Sequence, residues 1–300
     1  VSIALLLLPD FAIILFGLAL KRWFESGDSF WSGAERLIYF VLFPALLFTS
    51  TARAHIDFAA AMPMLAAGIG ATIAGMLLGA LAKPLFRPDA RIFAAGLQCA
   101  FRFNTYIGLA LISRLHGDAG LASMSLLLGV AIPLVNVVAV WSLARDSAKL
   151  WRGLARNPLI IATLGGIAFS VLGFQLPDTG WQILGRLGGT ALPLGLLAVG
   201  AALKLKGIGE HRVLIAWWLA VKLVAVPACA YAIASLLGLD PLSLHCAVLF
   251  AALPAATSAY ILAVRMGADG RIVAAIISSG TLMAMLTLPL WLSIIGAGGS

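Results

Sequence analysis

The sequence predicts an all-α integral membrane protein of ten hydrophobic helices, laid out as two inverted sets of five. Three observations carry that reading. Of 300 residues, 62% are apolar and 11% charged, with a mean hydropathy of +1.06. A soluble domain carries roughly a quarter charged residues. No soluble fold of this length has interior enough to hide so much apolar surface, so lipid must cover it. The apolar residues also gather into runs of about 20, the length an α-helix needs to span hydrocarbon. Finally, similar segments recur about 150 residues apart, half the chain, as an internal repeat would.

The runs lie near 2–20, 35–52, 58–82, 92–115, 120–143, 158–175, 186–203, 212–238, 242–265 and 271–295. The first has no basic residue before it and Lys21 and Arg22 after it. It therefore reads as a membrane helix and not as a secretory leader, whose charges precede the apolar stretch. The connections are short, and the longest, 144–157, is a basic surface segment. Lysine and arginine orient the helices. Fifteen fall in odd-numbered connections and 3, Arg53, Arg114 and Arg186, in even ones. Cytoplasmic loops carry such an excess, so the odd connections are expected inside. Both termini then face outward, in the inner (cytoplasmic) membrane of the cell. Trp23, Trp31, Trp151 and Trp181 sit near span ends, as interfacial belts do.

The repeat is visible in FPALLFTSTA at 43–52 against LPLGLLAVGA at 192–201, and in RLHGD at 114–118 against RMGAD at 265–269. The same register sets Phe103, Asn104 and Thr105 opposite Pro254, Ala255 and Ala256. Five spans per half is an odd number, so the second repeat, residues 151–300, must cross the membrane inverted relative to the first, residues 1–150. Inverted repeats with interrupted helices are an architecture of secondary transporters, with substrate held near midplane.

Composition also excludes several functions. A net charge of +8 does not signal nucleic acid here, because the basic residues are scattered over short loops and no nucleic-acid module is visible in the sequence. Cys99, Cys229 and Cys246 lie in apolar segments without a CxxC pair, so no redox or metal role is expected. His55, His116, His211 and His245 are dispersed, mostly at span ends. With no paired intramembrane acids, no metal-spaced cluster and no nucleophile motif, neither an enzyme nor a cofactor is expected.

Polar residues inside the spans are the candidates for function, because a polar group in hydrocarbon is costly unless it is used. Arg102 lies mid-span in the fourth run. It either clamps a carboxylate with its guanidinium or pairs internally. Lys222, about ten residues into the eighth run, is a fixed interior charge or snorkels to the surface. Asp10 follows Pro9 in the first run; it balances a cation, carries a coupling proton, or sits in a wet vestibule. Asn104, Thr105, Asn136, Thr257 and Ser258 offer neutral hydrogen bonds, to neighbouring helices or to substrate. Gly75 and Gly79, spaced as GxxxG, read as packing contacts.

RFNTYIGLALI (102–112), IPLVNVV (132–138), NPLIIATLGGI (157–167), GGTALPLGLLAVGAALK (188–204) and AALPAATSAYILA (251–263) resemble the auxin efflux carrier family over nearly the whole chain. The resemblance implies a fold related to bile-acid symporters and sodium/proton antiporters. Spans 1, 2, 6 and 7 would form a scaffold, and spans 3–5 and 8–10 a transport domain. Spans 4 and 9 would break and cross, with substrate beside the crossing. Asn104 matches the family's asparagine in the fourth span, Asn136 that in the fifth, and Pro254 the proline of the ninth-span break. Phe103 stands where plant members carry proline, and Ser258 where many bacterial members carry asparagine. The implied activity is efflux or exchange of small organic anions, carboxylates or auxin-like acids, by alternating access, in a homodimer joined through the scaffold. A cation- or proton-coupled carrier is the main alternative, and a non-transporting sensor a further one. Of the 12 acids, none lies in spans 4, 5 or 9 away from their ends, which disfavours cation coupling.

Overall fold

The computed structural model describes residues 3–23, 28–53, 58–143, 157–203, 211–265, 268 and 270–296, and every regular element among them is helical. In order these are α1 (Ile3–Trp23), α2 (Asp28–Leu37), a π-helical turn (Ile38–Leu42) leading into α3 (Phe43–Arg53), and α4 (Phe58–Ala80). Then come α5 (Ala82–Phe86), α6 (Ala90–Leu97) with a closing 3-10 turn (Gln98–Ala100), α7 (Thr105–Leu143), α8 (Pro158–Val171) and α9 (Asp178–Ala202). The chain continues with α10 (Arg212–Ala220), a second π-helical turn (Val221–Ala225), α11 (Val226–Leu236), α12 (Pro241–Ala252), α13 (Thr257–Arg265) and α14 (Gly270–Ile294). Most of the basic connection, with Trp151, and also His55, Lys204 and Lys206, lies outside the described residues.

Among the described residues, six helical stretches are long and apolar enough to cross a bilayer: Ser29–Arg53, Ala61–Phe86, Ala90–Ala139, Asp178–Ala202, Arg212–Leu236 and Gly270–Ile294. The third covers both the fourth and the fifth apolar runs. α7, which lies mostly within it, runs for 39 residues, which as one straight helix would measure roughly 58 Å, about twice the hydrocarbon thickness. Gly117 resolves the conflict. Its φ of 54° and ψ of −139° leave the helical region, where glycine has no Cβ to clash. The element is therefore two helices end to end, divided where the apolar runs divide. α8 and α12 are shorter, at 14 and 12 residues.

Both π-helical turns precede a proline by two residues, Pro44 and Pro227. Proline has no N–H to donate, and its ring crowds the carbonyl four residues back; a wider turn relieves that crowding. For Pro227 the stranded carbonyl is Leu223, and the Trp291 indole N–H fills the vacancy at 2.9 Å. Trp217 and Trp218 likewise donate to the carbonyls of Leu78 and Gly79, each at 3.2 Å, in the last turn of α4. In hydrocarbon no water can perform that service.

Small residues set the closest helix contacts. A Cβ on Gly200 would overlap the Ile14 carbonyl, and one on Gly17 the Leu197 backbone, so α1 and α9 meet nearly backbone to backbone. Gly166 brings α8 against Phe48 and Thr51 of α3, and Gly188 brings α9 against Leu46. On the other side α4 packs on α11 and α12. There Gly75 and Gly79 press on Val226 and Ala100, the packing role the GxxxG spacing suggests.

Candidate functional site

Two interruptions of the helical path fall inside apolar runs, the fourth and the ninth, and meet each other. Residues 101–104 separate the 3-10 turn after α6 from α7, and 253–256 separate α12 from α13. The second interruption has a local cause. Pro254 disfavours helical backbone at the residue before it, and Leu253 is extended, with φ −59° and ψ 139°. The first forms without a proline. Asn104 starts α7 as its N-cap, its side-chain Oδ1 accepting from the backbone N–H of Tyr106 (3.0 Å) and Ile107 (3.3 Å). An asparagine in that role satisfies donors that have no helical partner. Phe103 is buried against Phe250 of α12, with ring centroids 4.4 Å apart. The two interruptions touch: the Asn104 N–H donates to the Pro254 carbonyl at 2.8 Å.

Beside this contact lies a cavity of about 150 Å³. Its walls include Arg102, Asn104, Thr105 and Tyr106 around the first break, Ser258 past the second, Asn136 from α7, Tyr39 from the first π-helical turn and Asn157 at the start of α8. Arg102 is only 7% exposed. Its Nη2 donates to Asn136 Oδ1 at 2.9 Å and to Ser258 Oγ at 3.2 Å, while Nη1 is buried with no partner. No carboxylate lines the cavity among the described residues.

The hydrogen-bonding polarity of the site follows from which atoms are already engaged. Asn157 caps α8 as Asn104 caps α7, its Oδ1 accepting from Leu159 N (3.0 Å) and Ile160 N (3.4 Å). Because the partners of Asn104 and Asn157 are backbone N–H groups, and the partner of Asn136 is a guanidinium, each engaged atom must be the amide oxygen. That fixes the orientation of all three amides and leaves each with its NH2 group, a pure donor. Ser258 Oγ accepts from Arg102, so its own proton is available to donate. Thr105 and Tyr39 hydroxyls can turn either way. The amide oxygens of Asn104 and Asn157 each accept two hydrogen bonds and that of Asn136 accepts one, so among the charged and amide groups of the cavity spare donors outnumber the single spare acceptor position, a balance that suits an anion.

Of the residues singled out in the sequence, Arg102, Asn104, Thr105, Asn136 and Ser258 share this one cavity. Pro254 is not part of the lining; it meets the site only through its carbonyl, which accepts from the Asn104 N–H. Thr257 opens α13, but its side chain lies outside the described residues. Asp10 and Lys222 sit apart from the cavity lining. Asp10 makes a two-pronged ion pair with Arg114, Nε to Oδ2 at 2.6 Å and Nη2 to Oδ1 at 3.0 Å. Lys222 is buried and donates to the Ala251 carbonyl at 2.8 Å, at the C-terminal end of α12. Tyr39, Tyr106 and Asn157 were not anticipated. An asparagine followed by proline and an apolar run is a legible helix start, but nothing local says that this start faces a cavity.

Residues 142–292 match the family model described as membrane transport protein. Over 98% of its length the chain is 25% identical to the "Putative malonate transporter" of Rhizobium meliloti (strain 1021), covering 96% of that protein. Over 93% of its length it is 24% identical to an "Uncharacterized transporter" of Methanothermobacter thermautotrophicus, covering 94% of it.

Proposed function

The chain belongs to the membrane transport protein family, the auxin-efflux-carrier type of multi-pass transporter rather than an enzyme, and from that premise we propose that it is a secondary carrier of small organic anions working by alternating access. The observation that supports the substrate class is the cavity at the two helix breaks. It holds a buried guanidinium with an unpartnered nitrogen and three amides whose NH2 groups are spare, two of them with their oxygens doubly engaged, and no acid lines it among the described residues. Carboxylates accept such hydrogen bonds, and charge-assisted ones are the stronger kind. A coupling cation would instead need oxygen ligands or a carboxylate.

In this reading ten spans form two inverted repeats, with α6–α7 and α12–α13 as the paired broken helices. The breaks at 101–104 and 253–256 lie about 150 residues apart, matching the sequence repeat. α1, α2–α3, α8 and α9, drawn together at small residues, act as the scaffold, and the remaining helices move against it. The carrier sits in the inner membrane with both termini outward and pairs with a second copy through the scaffold. The printed name of the Rhizobium relative makes malonate, a three-carbon dicarboxylate, the first substrate to try.

The test is uptake by proteoliposomes of labelled malonate, malate and indole-acetate, with an organic cation of similar size as control. Saturable movement of at least one acid, but not of the cation, is expected. Movement of none of the acids would overturn the proposal.

A further inference from the structure

We infer that Asn157 is a specificity-determining contact for the carried anion, presenting its amide NH2 to a substrate carboxylate from the start of α8. The inference rests on the carrier reading and adds to it a residue outside both broken helices.

The first turn of α8 can be followed donor by donor. Pro158 has no N–H. Leu159 N and Ile160 N are taken by Asn157 Oδ1, and Ile161 N bonds the Asn157 carbonyl at 3.0 Å. Every backbone donor of that turn is thus occupied or absent. What the helix start offers to the cavity is the Asn157 NH2 group, held in place because its oxygen is committed to the cap. The positive end of the α8 dipole lies behind it, which favours negative charge at that spot. A second, independent feature points to the same ligand: Arg102, more than nine-tenths buried, lines the same cavity with Nη1 lacking a partner. Asn104 repeats the arrangement at the start of α7. Two asparagine-capped helix starts and one guanidinium therefore converge on a space of about 150 Å³, enough for a small carboxylic acid.

The dual use of the side chain supplies a clean test. Aspartate caps a helix about as well as asparagine does. Asn157→Asp thus keeps the oxygen that serves α8 and replaces the donor by a charged acceptor. Purified Asn157→Asp should unfold at about the wild-type temperature. In proteoliposomes its KM for the acid that the wild type carries should rise about tenfold or more, the size expected for losing a hydrogen bond to a charged group. Asn157→Ser, which also keeps a capping oxygen but has a shorter reach, should fold and show a raised KM as well. It serves if the aspartate variant does not fold. A wild-type KM in a folded variant of either kind would overturn the inference while leaving the carrier reading intact. A wild-type protein that neither carries nor is thermally shifted by malonate, malate or indole-acetate would overturn both.

Discussion

The backbone N–H of Asn104 and the carbonyl of Pro254, 150 positions apart in the chain, share a 2.8 Å hydrogen bond. Each interruption supplies what the other lacks: the first has a free donor, and the second, built on a proline, has a free acceptor. Asn104 then turns its side chain to capping α7, so one residue both ties the breaks and starts a helix. Asn104→Ala leaves the main-chain tie but removes the cap. It should cost about 1 kcal/mol of stability, read from thermal unfolding in detergent, and should raise KM. Asn104→Asp should keep the stability and still lose substrate.

Arg102 is expected to be more sensitive than either asparagine. Arg102→Ala should lower initial uptake by about a hundredfold or more, since it removes the cavity's one fixed charge among the described residues. Arg102→Lys keeps the charge but not the planar fork that reaches Asn136 and Ser258, and should recover only part of the rate. Uptake unchanged in Arg102→Ala would remove this residue from the site.

The ion pair between Asp10 and Arg114 is lopsided. The Asp10 side chain is 7% exposed and that of Arg114 35%. Deleting the arginine strands a buried carboxylate, whereas neutralising the aspartate leaves a cation that can reach solvent. Arg114→Ala should therefore destabilise by about 1–3 kcal/mol, discounted for the arginine's exposure, and Asp10→Asn by less. Chemical denaturation in detergent micelles gives the order, and the reverse order would count against the burial argument.

Lys222 has a carbonyl for a partner and no acid among the described residues. Burying an ammonium that way is costly, so Lys222→Met should raise the unfolding temperature. If the charge holds the negative end of α12 beside the second break, the same change should slow transport. A variant that is both less stable and fully active would show that neither statement holds.

Acid should act at Asp240, the N-cap of α12, whose Oδ1 accepts from Leu242 N (3.0 Å) and Ser243 N (3.2 Å). Burial pushes its pKa up. Hydrogen bonds from the Ser243 hydroxyl and from backbone amides outweigh that and hold it below the usual 3.8. With the folded-state value depressed, the stabilisation is complete above the ordinary carboxylate range and is lost as pH falls through the folded-state value. Asp240→Asn, an equal cap without the charge, should flatten the acid limb of a stability–pH curve below about pH 4.

Several of these features were legible in the sequence and others were not, for physical reasons. The apolar runs located the helices because hydrocarbon thickness fixes their length. They also divided α7 at the position where Gly117 breaks it. Arg102, Asn104 and Asn136 stood out because polar groups in an apolar run need a reason to be there. Asp10 drew attention as well, but its partner lies 104 residues away, and no local pattern encodes such a pairing. Asn157 drew no reading of its own: an asparagine before a proline and an apolar run marks a helix start, and no local pattern says that this start faces a cavity. Phe103 gives no local signal for the first break, which rests on the Asn104 cap and is packed by the Phe103–Phe250 contact, neither of them visible in a short window of sequence.

The fastening of the two breaks runs through main-chain atoms, which every residue carries whatever its side chain. Substitutions at 102, 136, 157 or 258 change the cavity lining and leave the Asn104–Pro254 main-chain bond its two atoms. On the carrier reading, side chains around the cavity are free to vary one at a time while the main-chain tie between the breaks stays in place. That separates the inheritance of the architecture from the inheritance of substrate preference.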